Sequence, residues 1–314
     1  MKPSKQTRSF FFPPDPGQWI VILRVGLGLE ILLYALSLRG DWNLIFGRST
    51  QGLLGREVAD AMALVQSPLL PRLSWITLLC QRIGLSENTA LALIWWSLLV
   101  LASLLVLGLF SRPAAILTWF LQLACAKSGG LFSYGADNLI TIGLFYLMIA
   151  PLPDSWSLDQ LFRHCAVRNP QMLGFHRRVL QVHLCLIYFF GGLTKCLGAG
   201  WWNGSNLWRS LTIPPFNVFA PAWISSWGFL LPALGIFVCL LETTYSFLIW
   251  WPRSRRPILY AICALHLGVG LAMGMHLFAG IMLVLNLAAF GPGEQTLKPE
   301  AAALNLETVR LSPH

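Results

Sequence analysis

The stretch 179–202 reads VLQVHLCLIYFFGGLTKCLGAGWW, and its first part is an almost unbroken apolar run with no polar–apolar alternation. A closed β-barrel would need weakly alternating segments of about 10 residues, whereas continuous runs of about 20 suit helices that cross a bilayer. Trp201 and Trp202, just beyond the run, carry the amphipathic rings that settle at a membrane–water interface. Lys195 is the residue that such a run has least reason to hold, and it comes directly before that interface.

The rest of the chain repeats the pattern. Its 314 residues are 56% hydrophobic and 11% charged, with a mean hydropathy of +0.63. One soluble core cannot hide so much apolar surface, so the composition predicts an all-α, polytopic transmembrane helix bundle. Apolar runs near 18–38, 90–110, 113–127, 137–150, 178–197, 226–250, 257–273 and 275–291 make about eight spans. Segment 39–89 contains VADAMALV and LLPRLSWITLLC, which suit interfacial helices lying on one membrane face. In the loop at 151–177, SWSLDQLF has the pattern of an N-capped amphipathic turn. The sequence thus divides into an N-terminal tail (1–14), a membrane domain (15–291) and a polar C-terminal tail (292–314).

The opening MKPSKQTRSFFFPPDPG has no apolar core followed by a small-residue cleavage site, so it does not read as a removable signal, and the first span serves for insertion. Lys and Arg are richer in the segments on the N-terminal side of the membrane, which predicts both termini in the cytoplasm. The net charge of +9 comes from residues scattered through loops. That distribution fits topology signals and excludes a nucleic-acid-binding face. Seven cysteines contain no CxxC pair, and most lie in apolar runs as small hydrophobes. Asn203-Gly204-Ser205 matches a glycosylation acceptor.

Ionisable groups inside apolar runs are the informative ones, because each costs a few kcal/mol in hydrocarbon and so faces a cavity or a partner. They are Arg24, Glu30, His183, Lys195, Glu242, His266 and His276, with Asp137 and Asn138 opening a span. At about 1.5 Å per residue, Lys195 lies about 27 Å from Arg177, near the outer surface. Asp137, Asn138 and His276 fall at that same level, and His266 lies deeper. Arg24 and Glu30 are not on one helical face, so each is expected to pair with another span. Simpler readings stand beside these. Lys195 can snorkel to the headgroups, Gly191-Gly192 can be a close helix-packing surface, and His183 and His266 can be structural histidines bonded to neighbouring helices.

The ordered residues Gln181, Tyr188-Phe189-Phe190-Gly191-Gly192-Leu193-Thr194-Lys195 and Trp201-Trp202-Asn203-Gly204 resemble a span of the vitamin K-dependent γ-carboxylase and its wider bacterial relatives, the HTTM (horizontally transferred transmembrane domain) family. Asp15-Pro16 before Arg24, Leu107 to Arg112, Asp137-Asn138 through Phe145, Ser155 to Asp159, and His266 are similar to family features in the same order. The resemblance implies an enzyme in which Lys195 is the base; together with the depth reading, which adds His276, it makes Asp137, Asn138, His266 and His276 its expected catalytic neighbours. It further implies a quinone-type cofactor such as reduced vitamin K, and a peptide or protein substrate. An apolar pocket suits a lysine base, since desolvation disfavours the ammonium. At Asn138 the carboxylase has a histidine. The alternative is a non-catalytic membrane accessory protein for maturation or export of a peptide or toxin.

Overall fold

The computed structural model describes residues 9–48, 55–163 and 169–291. The C-terminal tail and the start of the N-terminal tail lie outside the described residues. Eight main helices occupy the eight apolar runs: α1 (Gln18–Ser37), α2 (Glu87–Leu107), α3 (Ser111–Ser128), α4 (Gly135–Ile149), α5 (Pro170–Cys196), α6 (Leu231–Leu248), α7 (Pro252–Met273) and α8 (His276–Phe290). Five stretches, α1, α2, α5, Gly228–Leu248 and α7, are long and apolar enough to cross a membrane. α4 and α8 are shorter apolar helices. No strand occurs among the described residues.

Local chemistry sets the helix ends. Ser86 caps α2 by accepting from the Thr89 amide at 3.2 Å, and α2 stops where Gly108 turns left-handed at φ 71°. That turn separates the second and third runs, and α3 already begins at Ser111. Its first amides are capped from a distance: the Asp159 carboxylate accepts from Phe110 N (2.9 Å), Ser111 N (2.7 Å) and Ser111 Oγ (2.8 Å). Asp159 belongs to the short helix Leu158–Arg163, whose start Ser157 Oγ caps by accepting from Gln160 N, as SWSLDQLF predicted. α5 starts with Asn169 as cap and Pro170 in its first turn. α7 and α8 are joined by a tight turn through Gly274 at φ 69°.

Within a bilayer, apolar side chains gain little by leaving lipid for protein, so close packing and polar contacts must hold the helices together. α1 packs along α2 and α8, α3 along α4, α5 along α6, and α7 along α8, and α8 also touches α4 and α5. Trp19, Ile20, Leu23, Leu27 and Ile31 form the buried stripe of α1, while Leu29, Leu33 and Leu36 on its other side are exposed. Such a bare leucine face suits lipid. Gly192 lets α5 approach α6 closely, because a methyl there would lie 2.5 Å from the Thr243 amide nitrogen.

Buried ion pairs tie the ends of the bundle. Arg24 pairs with Asp154 at 2.5 Å, both side chains 1% exposed. It also donates to the carbonyls of Leu105 and Val106 at the end of α2. Through these α2 carbonyls Arg24 meets another span, as the sequence suggested, and the loop carboxylate of Asp154 is the partner it did not. Arg177 on α5 pairs with Asp15 at 2.8 Å and donates to the Ala289 carbonyl at the end of α8 at 3.0 Å.

Segment 39–89 forms the helices Trp42–Phe46, Arg56–Gln66 and Leu73–Arg82. In the second, Arg56, Ala59 and Ala63 face inward and Val58, Met62, Leu64 and Val65 are exposed, as an interfacial helix requires. Its inner edge is pinned by Arg56 to Glu87 at 3.0 Å.

Candidate functional site

α5 and α6 run antiparallel and in close contact, which brings Lys195 of one against Glu242 of the other. The ammonium is ion-paired to Oε2 of Glu242; 27% of the lysine side chain and 9% of the glutamate side chain remain exposed. Gly191, one turn before Lys195, lies beside the pair, where a methyl would sit in ordinary contact 3.6 Å from Glu242 Oε2. The Trp201 ring completes the setting, with Nζ 5.6 Å from its centroid. Lys195 is thus neither a free snorkelling cation nor a lone amine. It is half of a shielded charge pair.

Tyr188 lies on α5 two turns below Lys195, about 10 Å deeper. Its hydroxyl is 2.8 Å from Nε2 of His266 on α7 and accepts from the Asn286 amide of α8 at 2.6 Å. Asn286 Oδ1 in turn accepts from the Tyr245 hydroxyl of α6 at 2.8 Å. Four helices therefore contribute one residue each to a chain of His266, Tyr188, Asn286 and Tyr245, and all four residues are buried. Nδ1 of His266 has no hydrogen-bond partner among the described residues, and the Phe278 ring stands edge-on at 5.7 Å. A buried nitrogen without a partner is costly unless something else meets it.

The other expected site residues lie elsewhere. Asp137 is buried on α4, where its carboxylate accepts from the Tyr134 amide at 2.9 Å and closes the first turn. With Tyr34, Cys125, Tyr134 and Leu277 it lines a cavity of about 70 Å³ between α1, α3, α4 and the start of α8. Burial, together with the charges of Asp137 and Glu30, pushes the Tyr134 phenol up to about 12. Asn138 and His276 are exposed at the ends of their helices. Of the expected set, then, Lys195 and His266 sit on one quarter of the bundle, whereas Asp137 and Asn138 belong to the α4 side. His183 is bonded to Tyr146 of α4 at 2.8 Å, the bond to a neighbouring helix that the sequence suggested. Glu30 packs against Gly280 of α8, where a methyl would collide with its carboxylate, and its Oε2 has no hydrogen-bond partner among the described residues.

Sequence reasoning missed Asn286 and Tyr245. Both are neutral, and in apolar runs it is the ionisable groups that stand out. Asn286 was findable as a lone amide inside the last apolar run, where a buried amide needs partners on other helices.

Asn203 of the acceptor triplet is exposed, and its side chain accepts from the Ser205 amide at 3.0 Å. Comparisons with curated proteins and with solved structures give no match. Residues 78–292 match the family model of the HTTM domain. That match begins after α1, so Asp15-Pro16 and Arg24 lie before it, while Lys195, Glu242, His266 and Asn286 lie within it. Covering well over half of a chain folded as a multi-pass helical membrane protein, the match shows that the chain belongs to the HTTM domain family.

Proposed function

We propose that the chain is a membrane-embedded enzyme whose acid–base centre is the Lys195–Glu242 pair, with the His266–Tyr188–Asn286 chain beneath it. The observation that carries this reading is the pair itself. A proton moved along the existing hydrogen bond from Nζ to Oε2 leaves an amine and a carboxylic acid, and the amine is the base. Glu242 then holds the proton on a side chain that is only 9% exposed.

The finer reading is chemistry like that of the vitamin K-dependent γ-carboxylase, with a peptide or protein glutamate as substrate. A quinone-type cofactor such as reduced vitamin K fits on one count: the buried, unpartnered Nδ1 of His266 beside the Phe278 ring offers a polar contact in apolar surroundings. His266 would hold it, and when bound it would supply the electrons whose transfer to O₂ drives base formation. Asp137 and Asn138 belong in this reading to a second polar region across the bundle, and His276 to its rim. The Lys and Arg distribution supports both termini in the cytoplasm and Lys195 near the outer face.

Reduced vitamin K added to purified protein should raise the melting temperature of the wild type and leave His266→Ala unmoved. No shift in the wild type removes the cofactor from the proposal. Labelled CO₂ incorporation into a glutamate-bearing peptide tests the reaction. Lys195→Arg keeps a cation for Glu242 but cannot act as a base at ordinary pH, so it should abolish incorporation. The alternative, an accessory protein for peptide or toxin maturation or export, rests on how fully the pair neutralises itself. It takes over if Lys195→Arg supports full cellular activity.

A further inference from the structure

The seven cysteines show no spacing motif in sequence, but the antiparallel register of α5 and α6 brings two of them together. Gly192 on α5 faces Thr243 on α6 at a close approach of the two helices. One turn further along α5 is Cys196, and one turn back along α6 is Cys239. Because the helices run in opposite directions, the two steps lead to the same place. Side-chain contacts agree. Cys196 Sγ is 3.6 Å from the Thr243 hydroxyl, and that hydroxyl donates to the Cys239 carbonyl at 2.8 Å. Both are free thiols; Cys196 is half-buried and Cys239 fully buried.

From this register we propose that Cys196 and Cys239 are a dithiol that closes to an interhelical disulfide by exchange with a low-molecular-weight disulfide. A disulfide needs α-carbons within about 4.4–6.8 Å, and the close approach of the two helices at Gly192 and Thr243 lies one turn from each cysteine. Accessibility assigns the roles. The Cys196 thiolate attacks one sulfur of the small disulfide, forming a mixed disulfide and releasing one thiolate of the reagent. Cys239 gives up its proton and attacks the Cys196 sulfur, releasing the second thiolate. Two protein thiols and one reagent disulfide become one protein disulfide and two reagent thiols, so the electrons lost by the cysteines are gained by the reagent. The bond forms directly beside Lys195 and one turn from Glu242, and it would lock the two helices that carry the ion pair. It forms whether or not Lys195 is a base.

The test uses purified full-length protein in detergent, incubated with oxidised glutathione, then denatured and labelled with a maleimide. Mass spectrometry should show that Cys196 and Cys239 of the wild type escape the label and are linked to each other. Cys239→Ser, which lacks the resolving thiol, should instead carry glutathione on Cys196. Cys196→Ser should leave Cys239 free, because a buried thiol cannot begin the exchange. Cys239→Ala stands in if the serine variant does not elute as a folded monodisperse protein. Full maleimide labelling of both cysteines in oxidised wild type overturns the proposal, and so does a wild-type glutathione adduct that never closes.

Discussion

Lys195 and Glu242 neutralise each other across the α5–α6 contact, where only 9% of the glutamate side chain reaches solvent. Removing one partner strands the other, and breaking a buried pair costs about 3–5 kcal/mol. Glu242→Ala should fall toward the lower end of that range, because the lysine keeps a partly exposed path. The double variant Lys195→Met with Glu242→Leu should recover most of the lost melting temperature while abolishing any activity that needs the base. Thermal denaturation of detergent-solubilised protein reads the first effect and turnover the second.

Arg24 has no such escape. With both side chains 1% exposed, Arg24→Ala leaves Asp154 buried without its cation and should cost about 3–5 kcal/mol. Arg24→Lys should not restore it, since an ammonium cannot serve Asp154 and the Leu105 and Val106 carbonyls together as a guanidinium does. Yield of folded protein and melting temperature check both variants.

The Tyr188 hydroxyl joins His266 to Asn286. Tyr188→Phe leaves His266 Nε2 and one Asn286 donor position without the phenol and should cost about 1–3 kcal/mol with packing unchanged. Asn286 Nδ2 keeps its bond to the Met282 carbonyl, so the loss should stay local. A thermal shift with unchanged circular dichroism is the expected result.

Gly280 makes room for Glu30. Gly280→Ala should destabilise the α1–α8 contact by about 1–3 kcal/mol, the usual range for overpacking. Glu30→Ala in the same protein should relieve most of that cost. A double-mutant cycle in melting free energy, showing coupling rather than additivity, tests it.

Sequence periodicity carried most of the fold, because a membrane helix must be apolar for its whole length and its ends must coincide with Gly, Pro or a cap. The eight runs, the amphipathic helix at 56–66 and the capped turn at 157–163 were all legible in this way. Partnerships were not. That Lys195 meets Glu242, and Arg24 meets Asp154, depends on which helices pack and in what register, and neither residue type nor spacing along the chain encodes that. Depth counting left a similar gap at Asp137. It placed Asp137 and Lys195 at one level, and level says nothing of the angle around the bundle, where α4 and α5 present these residues to different neighbours.

The anchors of α1 have a consequence for the order in which the protein is made. Asp15 pairs with Arg177, the Asp15 amide donates to the Pro170 carbonyl, Gly174 leaves space for the Pro13 carbonyl, and Arg24 waits for Asp154. Every one of these partners is translated more than a hundred residues after α1 itself. The first helix therefore enters the bilayer with its guanidinium unmatched by a carboxylate and keeps its final seat only once the fifth helix emerges. A ribosome stalled before residue 154 would leave Arg24 held by the α2 carbonyls alone, so a nascent chain of that length is the one that membrane quality control should find easiest to extract.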